Sequence, residues 1–470
     1  MTFPAGDRVQ LTGGSRAAEP AGHEASGAAQ PATASTAEGN GGPLTPSRPG
    51  GGLLYAAVER AQVWGASTFR ALRHRHFRLF WVGQWVSVTG TWMQTVAQSW
   101  LVYRLTASSL TLGLLTAARF GPSLFGAPVA GVMADRLARR SLVLAAQALA
   151  MLQAAGLAAL TLCGVVEVWH VLVLALLQGI VEAVDMPARQ ALQLDLVGAP
   201  DLQSAVSLNS VAFNAARMVG PAFAGVLVAA TGEGVCFALN AASYLAVLLA
   251  LVSIPASAAL HPSPSGIGAH LLEGVRFVRR EAQLRRVLVA AGMTSLFGLS
   301  YITLLPVLAR EVLGAGAGGY GALLGGAGLG AMAGALATAS RRSGAGTVRA
   351  VAFGQAILGV GLMALAASRR VEVALAFMVM IGAAVAVQLS VSNAAMQMKA
   401  PEELRGRVIS LYIWIFAGLA PVGGLAAGAV AEVIGATWTA ATCGLACVVS
   451  ALAVARHVDE KTKIFAGGEE

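Results

Sequence analysis

Residues 169–190 read WHVLVLALLQGIVEAVDMPARQ, an apolar run with a single polar face. A helix of this length crosses a hydrocarbon layer about 30 Å thick. The polar members recur at intervals of four, three and four residues, on one side of a helix: Gln178, Glu182, Asp185 and Arg189. An ionisable side chain inside a span costs about 2.5–3.5 kcal/mol, so it usually faces a partner or a water-filled space. The stretch therefore predicts a membrane-spanning helix whose polar side is turned into a bundle.

The composition of the whole chain agrees with this prediction. The 470 residues have a mean hydropathy of +0.68, with 56% apolar and only 12% charged residues, a balance unlike that of soluble globular domains. The net charge of +9 lies in short loops rather than along one face, which argues against a nucleic-acid partner. The four cysteines form no metal-binding pattern, and no nucleotide-binding or hydrolase motif occurs. The sequence therefore predicts neither an enzyme nor a cofactor.

Apolar stretches of about 20 residues follow one another from about residue 77 onward, and we count twelve of them. The chain also repeats itself, since residues 199–202, APDL, are echoed about 200 residues later by residues 400–404, APEEL. Both copies lie in the same kind of loop, so each repeat contains an even number of spans. We predict an all-α membrane protein of twelve transmembrane helices in two pseudo-symmetric six-helix halves, which is typical of secondary transporters.

The predicted organisation has five segments. The Gly/Ala/Pro-rich cytoplasmic tail has no apolar run and is expected to be disordered. The linker between the halves interleaves apolar residues with arginines, which predicts an amphipathic helix on the inner membrane surface. The segments are the tail at 1–70, the N-terminal half at 75–254, the cytoplasmic linker at 255–285, the C-terminal half at 286–455 and a cytoplasmic tail at 456–470.

Basic residues in the short loops predict the orientation, because such residues accumulate on the cytoplasmic side of a membrane. With both termini in the cytoplasm, nearly all loop Lys and Arg residues fall on the inner side. The outer side then holds only Arg104, Arg310, Arg369 and Arg370. We predict a multi-pass monomer in the lipid bilayer of a bacterial cytoplasmic (inner) membrane, with both termini inside.

Charged residues within the spans are the candidates for coupling transport to protons. A carboxylate that is exposed to the two sides in turn can carry a proton, since burial raises its pKa and a nearby arginine lowers it again. Glu182, Asp185 and Arg217 are the predicted coupling residues. For Asp185 the alternative is a static ion pair with Arg189 at the cytoplasmic end of the span.

Polar stripes on spans one, four and five predict a shared water-filled space, although the same side chains could simply hold neighbouring helices together. The residues predicted to bind the substrate are Arg119, Gln94, Gln98 and Asn214. Two roles stay open for Arg119 and Arg217. Each could be the switching partner of a carboxylate, or could hold an anionic substrate directly.

The loop between spans two and three, residues 131–140, reads GVMADRLARR and resembles the signature loop of the major facilitator superfamily. The resemblance implies a cytoplasmic gate in which Asp135 engages the neighbouring half, where the positive dipole end of the eleventh span begins. The segment around Gly220 and Pro221 resembles the antiporter motif on span five. The implied gate residues are Gly131, Asp135, Arg136, Arg139, Arg140, Gly220 and Pro221.

Further segments narrow the resemblance to the branch that contains the enterobactin exporter and macrolide efflux proteins. These are residues 185–191 (DMPARQA), 208–210 (LNS) and 216–221 (ARMVGP). Ala175 departs from the pattern, since many superfamily members carry an arginine at this position of span four. That departure directs the prediction of the proton route to Glu182, Asp185 and Arg217.

The resemblance implies secondary active transport by alternating access, with protons driving the efflux of a small molecule such as a drug, a siderophore or a similar metabolite. One alternative is an importer or uniporter of a small anionic metabolite. Another is a membrane sensor that transports nothing. A membrane-embedded enzyme would need a nucleophile or metal set that the sequence does not contain.

Overall fold

The computed structural model describes residues 69–136, 138–255, 267–339 and 347–466, and every regular element in these ranges is helical. Side chains are described in the same ranges except at 125–136, 267–272, 339, 347 and 457–466. After a 3-10 turn at Arg70–Arg73, the helices are α1 Arg75–Thr106, α2 Ser109–Arg136, α3 Arg139–Leu162, α4 Val168–Thr231, α5 Glu233–Ser253, α6 Ile267–Arg280, α7 Ala282–Val312, α8 Ala317–Ala339, α9 Thr347–Ala367, α10 Val371–Lys399, α11 Glu402–Ile434 and α12 Ala436–Ala466.

Nine helices of the described ranges are long and apolar enough to cross a membrane, namely α3 to α5 and α7 to α12. Helix α1 falls outside this set because its glutamines and tryptophans lower its hydropathy, and α2 because it carries Arg119 in an apolar stretch. The prediction of an all-helical membrane protein is confirmed. The number of twelve spans and the symmetry of two halves stay predictions.

Helix α4 contains both the fourth and the fifth predicted span. At 1.5 Å per residue its 64 residues correspond to about 96 Å of helix, about three times the thickness of the hydrocarbon layer. The helical backbone is broken at Gly198, whose φ of 71° and ψ of 169° are conformations that favour glycine. Pro200 follows, and its missing N–H suits the first turn of a new helical segment.

The chain just before α1 is anchored to the second segment of α4. The buried carboxylate of Asp201 lies 3.3 Å from Nε of Arg70, 3.4 Å from Nε of Arg73 and 2.9 Å from Nε2 of His74. The Ala71 amide also donates a 3.0 Å hydrogen bond to the Ser204 hydroxyl. These bonds hold the start of α1 against the turn that joins the two segments of α4.

Helices α1–α5 form one group of packed helices, and α7–α12 form another. In the N-terminal group α1 packs on α4 and α5, α2 packs on α4, and α3 packs on α5. In the C-terminal group α8 packs on α10, and α9 packs on α10 and α12. The two groups meet where α2 lies along α11 and where α4 lies along α8.

Several polar contacts join the two groups at the end of the bundle that holds the turn at Ala107, which we call the Ala107 end. The carboxylate of Glu432, near the end of α11, accepts hydrogen bonds of 3.0 Å from the Ser108 hydroxyl and from the Leu110 amide at the start of α2. The Tyr103 hydroxyl donates to the Glu311 carboxylate on α7. The described contacts therefore close the bundle at this end.

Backbone contact between α4 and α8 reinforces this closure. A Cβ atom added at Gly321 would lie 2.5 Å from the Pro221 carbonyl oxygen and 2.6 Å from the Gly225 Cα atom. Distances this short leave no room for a side chain, so the close approach of the two helices requires glycine at this position. Small residues are the usual means by which helices approach closely in membranes.

Two helices extend across the boundaries that the sequence predicts for the segments. Helix α7 begins at Ala282 rather than at 286, and it contains π-helical turns at Thr294–Gly298 and Leu308–Val312. Helix α12 continues to Ala466. Within the predicted linker, α6 is helical as expected, but residues 256–266 lie outside the described ranges, as do tail residues 1–68 and 467–470.

We predict that Gly321→Ala lowers the thermal stability of the purified protein, because the new methyl group must push apart two backbones. Overpacking of this kind costs about 1–3 kcal/mol. Gly156 in α3 provides a matched control, since a Cβ atom there meets nothing within 4 Å. Gly156→Ala should leave stability unchanged or raise it slightly, because alanine favours helix. Equal melting temperatures for Gly321→Ala and wild type would contradict the described α4–α8 contact.

Candidate functional site

The centre of the candidate site is an ion pair between α2 and α4. Nη2 of Arg119 donates a 2.8 Å hydrogen bond to Oε1 of Glu182. The Arg119 side chain is only 7% exposed, whereas that of Glu182 is 35% exposed. The carboxylate is thus the more accessible member of the pair. A buried cation depends on such a partner, because unpaired charge inside a bundle is costly.

A chain of hydrogen bonds connects this pair to α5 and α1. Nε2 of Gln178 lies 2.9 Å from Oε1 of Glu182 and 3.3 Å from the Tyr244 hydroxyl. The same hydroxyl lies 3.2 Å from Oγ1 of Thr91. The charge state of Glu182 is therefore linked to polar groups on three other helices.

The position of Arg119 depends on a close crossing of α2 and α4. A Cβ atom added at Gly179 would lie 2.1 Å from the Arg119 carbonyl oxygen. Glycine at this position brings the two backbones together one residue after Gln178, so that the guanidinium reaches Glu182 from the neighbouring helix. Two guanidinium nitrogens of Arg119, Nε and Nη1, are buried without a hydrogen-bond partner in the described structure.

Asp185 lies on the same helix but in a different arrangement. Its buried carboxylate is paired with Arg189, one turn further along α4. This contact matches the alternative of a static ion pair. The Oδ1 atom of Asp185 and the Nε atom of Arg189 are buried and have no partner among the described atoms.

The two glutamines of α1 lie in helix contacts rather than on an open surface. Gln94 is 0% exposed; its Nε2 donates to Oε1 of Gln153 at 3.0 Å, and its Oε1 accepts from Nδ2 of Asn240 at 2.7 Å. Gln98 is 1% exposed and donates to the Val171 carbonyl at 3.3 Å. Both residues thus bond neighbouring helices to each other in this conformation.

Arg217 and Asn214, both on the second segment of α4, keep part of their surface accessible. Nδ2 of Asn214 donates to the Ser210 carbonyl one turn earlier, at 2.8 Å. The Arg217 guanidinium stacks over the Trp92 ring, with 5.8 Å between its carbon and the ring centroid. No described ion pair joins Arg217 to Glu182 or Asp185.

Arg139 and Arg140, two of the predicted gate residues, form polar contacts at the start of α3. Nη1 of Arg139 lies 2.7 Å from Oδ1 of Asp195, and Arg140 donates to the carbonyls of Leu251 and Val252 at the end of α5. Helix α2 extends to Arg136, but the side chains of Gly131, Asp135 and Arg136 lie outside the description. Gly220 and Pro221 are buried in α4.

Three polar partners were not predicted from the sequence: Gln153 on α3, and Asn240 and Tyr244 on α5. Gln153 lies six residues from the nearest glutamine of α3, whereas Asn240, Ser243 and Tyr244 share one face of α5, and neither helix entered the prediction of polar stripes. Within the described residues no group of three His, Cys, Asp or Glu side chains could hold a metal ion.

Comparison with known proteins identifies a family. Residues 66–463 match the family described as transmembrane secretion effector. The chain is similar to the staphyloferrin A transporter of Staphylococcus aureus, with 26% identity over 236 residues that cover 50% of this chain and 59% of that protein. It is 25% identical over 239 residues to the enterobactin exporter EntS of Shigella boydii, covering 50% of this chain and 56% of that protein.

A longer match is to the multidrug efflux pump Tap of Mycolicibacterium fortuitum, with 29% identity over 365 residues that cover 74% of this chain and 87% of that protein. The chain spans less than two thirds of the length of the staphyloferrin A transporter and of EntS. Among solved structures, the peptide transporter POT is similar in fold, with a TM-score of 0.68 and 13% identity over 82% of this chain and 95% of that chain. The predicted resemblance is confirmed at the level of the family.

We predict that Glu182→Leu lowers the thermal stability of the protein, because it leaves the buried Arg119 guanidinium without its carboxylate. The loss should be about 2–3 kcal/mol, below the 3–5 kcal/mol of a fully buried pair, since Glu182 is partly exposed. Arg119→Met combined with Glu182→Leu should recover most of it, as measured by thermal unfolding in detergent.

A matched control is Glu372→Leu, because the Arg370–Glu372 pair is 3.8 Å apart with side chains 80% and 79% exposed. That substitution should leave stability unchanged, since exposed pairs contribute little. Equal destabilisation by the Glu182 single variant and by the double variant would show that the Arg119–Glu182 pair is not the source of the effect.

Proposed function

The chain belongs to the transmembrane secretion effector family of the major facilitator superfamily, and we propose that it is a secondary active transporter that exports a small molecule from a bacterial cell. The single observation that carries this proposal is the Arg119–Glu182 pair inside a bundle of membrane-spanning helices. Burying such a pair costs desolvation free energy, and a bundle that transports nothing could avoid this cost by carrying apolar residues at both positions. The names of the relatives indicate siderophores or drugs as candidate cargo.

We propose twelve spans in two six-helix halves, the first formed by α1–α5 and the second by α7–α12. Helix α4 counts as two crossings, because a helix of 64 residues is too long for one and is broken at Gly198. The pairing of helices supports the symmetry, since α2 on α4 corresponds to α8 on α10, and α3 on α5 corresponds to α9 on α12. The two contacts between the halves also correspond to each other: the symmetry that relates the halves converts the α2–α11 contact into the contact of the second segment of α4 with α8.

Proton coupling is assigned to Glu182, with Arg119 as its switching partner. When Glu182 is ionised, its Oε1 accepts hydrogen bonds from both Arg119 and Gln178, as described above. Protonation removes the negative charge that compensates the buried guanidinium, so the pair weakens and another arrangement of α2 and α4 becomes favourable. Alternating access then links the protonation of Glu182 to the side on which the crevice is open.

Asp185 has a structural role in this proposal, because Arg189 compensates its charge on the same helix. The gate at the cytoplasmic side is assigned to the signature loop, with Asp135 engaging the start of α11 and with Arg139 and Arg140 anchoring the loop to α4 and α5. The contacts at the Ala107 end, which we place on the outer side, correspond to a conformation closed to the outside.

The orientation can be tested with a natural reporter. Cys163, at the end of α3, is exposed, while Cys236, Cys443 and Cys447 are buried. We predict that a membrane-impermeant maleimide labels the protein in intact cells, because the α3–α4 turn lies on the outer side in the proposed orientation. Cys163→Ser should abolish the labelling. Labelling that occurs only in permeabilised cells would place this turn in the cytoplasm and the termini outside the cell.

The coupling assignment predicts that Glu182→Gln loses transport driven by a proton gradient but retains exchange of cargo without a gradient. Glutamine keeps the size and a hydrogen-bonding oxygen but cannot bind and release a proton. A resistance screen with antibiotics, dyes and siderophores, comparing expressing and deleted cells, first identifies a cargo. Everted membrane vesicles with and without a pH gradient then measure its accumulation.

Glu372→Gln is the control, because this exposed carboxylate lies away from the buried pair. Its gradient-driven transport should equal that of wild type. Undiminished gradient-driven transport in Glu182→Gln would reject the coupling role. Accumulation by wild type that is the same with and without the gradient would favour a uniporter, and no flux of any screened compound would favour a sensor.

A further inference from the structure

Arg217 lies where the two groups of helices meet. Its backbone carbonyl oxygen is 2.8 Å from the position of a Cβ atom at Gly328 on α8, so α4 and α8 are in backbone contact at this level. Its guanidinium lies over the Trp92 ring of α1, 5.8 Å from the ring centroid, and near the Tyr301 side chain of α7. Arg217 thus lies at the contact between the N-terminal and the C-terminal group.

The charge of Arg217 is not compensated by any carboxylate among the described residues. Two other arginines within the N-terminal group have acidic partners: Arg119 pairs with Glu182, and Arg189 pairs with Asp185. Arg104 at the end of α1 pairs likewise, with Glu233. An arginine within a span without a counter-ion is costly, and its cost falls when it faces a water-filled space or binds an anion.

Aromatic rings border the guanidinium. Trp92 packs edge-to-face on Phe213, with 5.9 Å between the ring centroids, and Phe213 remains 47% exposed. Trp92 reaches this position because Gly220 has no side chain: a Cβ atom there would lie 2.7 Å from the Trp92 Cβ atom. Tyr301 of α7 is buried. A cation beside flat apolar surfaces is suited to a ligand that combines negative charge with a ring.

We propose that Arg217 binds the anionic group of the cargo, and that the cargo class is organic anions in which a carboxylate adjoins a flat ring system. The planar guanidinium matches a carboxylate with two parallel hydrogen bonds, and the neighbouring rings contact the apolar part of the ligand. Because the residue touches both groups of helices, a cargo bound there senses their relative movement. This inference rests on the proposed function, whose crevice it occupies.

The competing interpretation is that Arg217 only bonds α1, α4 and α7 to one another. Such a role needs no anionic ligand, because the Trp92 ring stabilises the cation stacked on it. The two interpretations therefore differ in one measurable respect. Ligand recognition depends on the sign of the ligand charge, whereas a structural bond does not.

Two dyes with the same xanthene frame separate the interpretations: fluorescein, which is anionic, and rhodamine 123, which is cationic. The full chain is purified into lipid nanodiscs, and the affinity for each dye is measured by fluorescence polarisation without a pH gradient. Wild type should bind fluorescein more tightly than rhodamine 123. Arg217→Gln should lose roughly tenfold or more in affinity for fluorescein, as expected for charge-assisted hydrogen bonds, and lose none for rhodamine 123.

The control is Arg370→Gln, since this arginine is 80% exposed at the start of α10 and should not alter either affinity. Thermal unfolding shows whether each variant is folded. Should Arg217→Gln fail to fold, Arg217→Lys decides the question. Lysine retains the charge without the planar pair of donors, so fluorescein affinity should fall severalfold while rhodamine 123 affinity stays constant.

Wild type that binds fluorescein no better than rhodamine 123, or not at all, would overturn the proposal. So would an equal loss of both affinities in the folded Arg217 variant. The proposed function fails separately, because its test measures gradient-driven flux. Charge-selective dye binding without gradient-driven flux would reject secondary active transport and support the anion site at Arg217. Gradient-driven flux without charge-selective dye binding would support secondary active transport and reject the anion site.

Discussion

Hydrocarbon offers a polar group no solvent to bond with, so a membrane-spanning helix must satisfy its side chains within the protein. The described helices meet this constraint through bonds to their own backbone, as at Thr95 and Thr106, and through bonds between different helices. Gln94 joins α1 to both α3 and α5, and Arg119 joins α2 to α4. These bonds decide which faces of the helices are turned towards each other. In the proposed mechanism, the cost of leaving such groups unpaired is what allows a change in the protonation of Glu182 to move helices.

The sequence predicted the helical class and the polar face of residues 178–189 correctly, because both follow from a local period. It did not predict that Arg119 pairs with Glu182 while Arg217 has no such partner, since periodicity indicates a face but not the neighbour across it. Gln153 gives little local signal, whereas Asn240 and Tyr244 share a face of α5 at a spacing of four residues that the prediction did not use. The irregular turns of α7 were also missed, because tertiary packing rather than propensity determines where a span widens into π-helical geometry.

Family membership and local geometry answer different questions about this chain. The match over residues 66–463 establishes the family, and similarity to solved transporters at 13% identity supports the fold alone. The relatives carry chemically different molecules, from a siderophore to several drugs, so the cargo has to be argued from side chains. Arg119 and Arg217 illustrate this, because two arginines in similar apolar stretches receive different roles once their neighbours are known.

Gly198 is the one position between Glu182 and Arg217 at which α4 departs from helical geometry. The segment that contains Glu182 and the segment that contains Arg217 are therefore separated by a single non-helical residue. Asp201 further ties the start of the second segment to the chain before α1. A displacement of the first segment would therefore move the second segment with it, because almost no flexible chain separates the two.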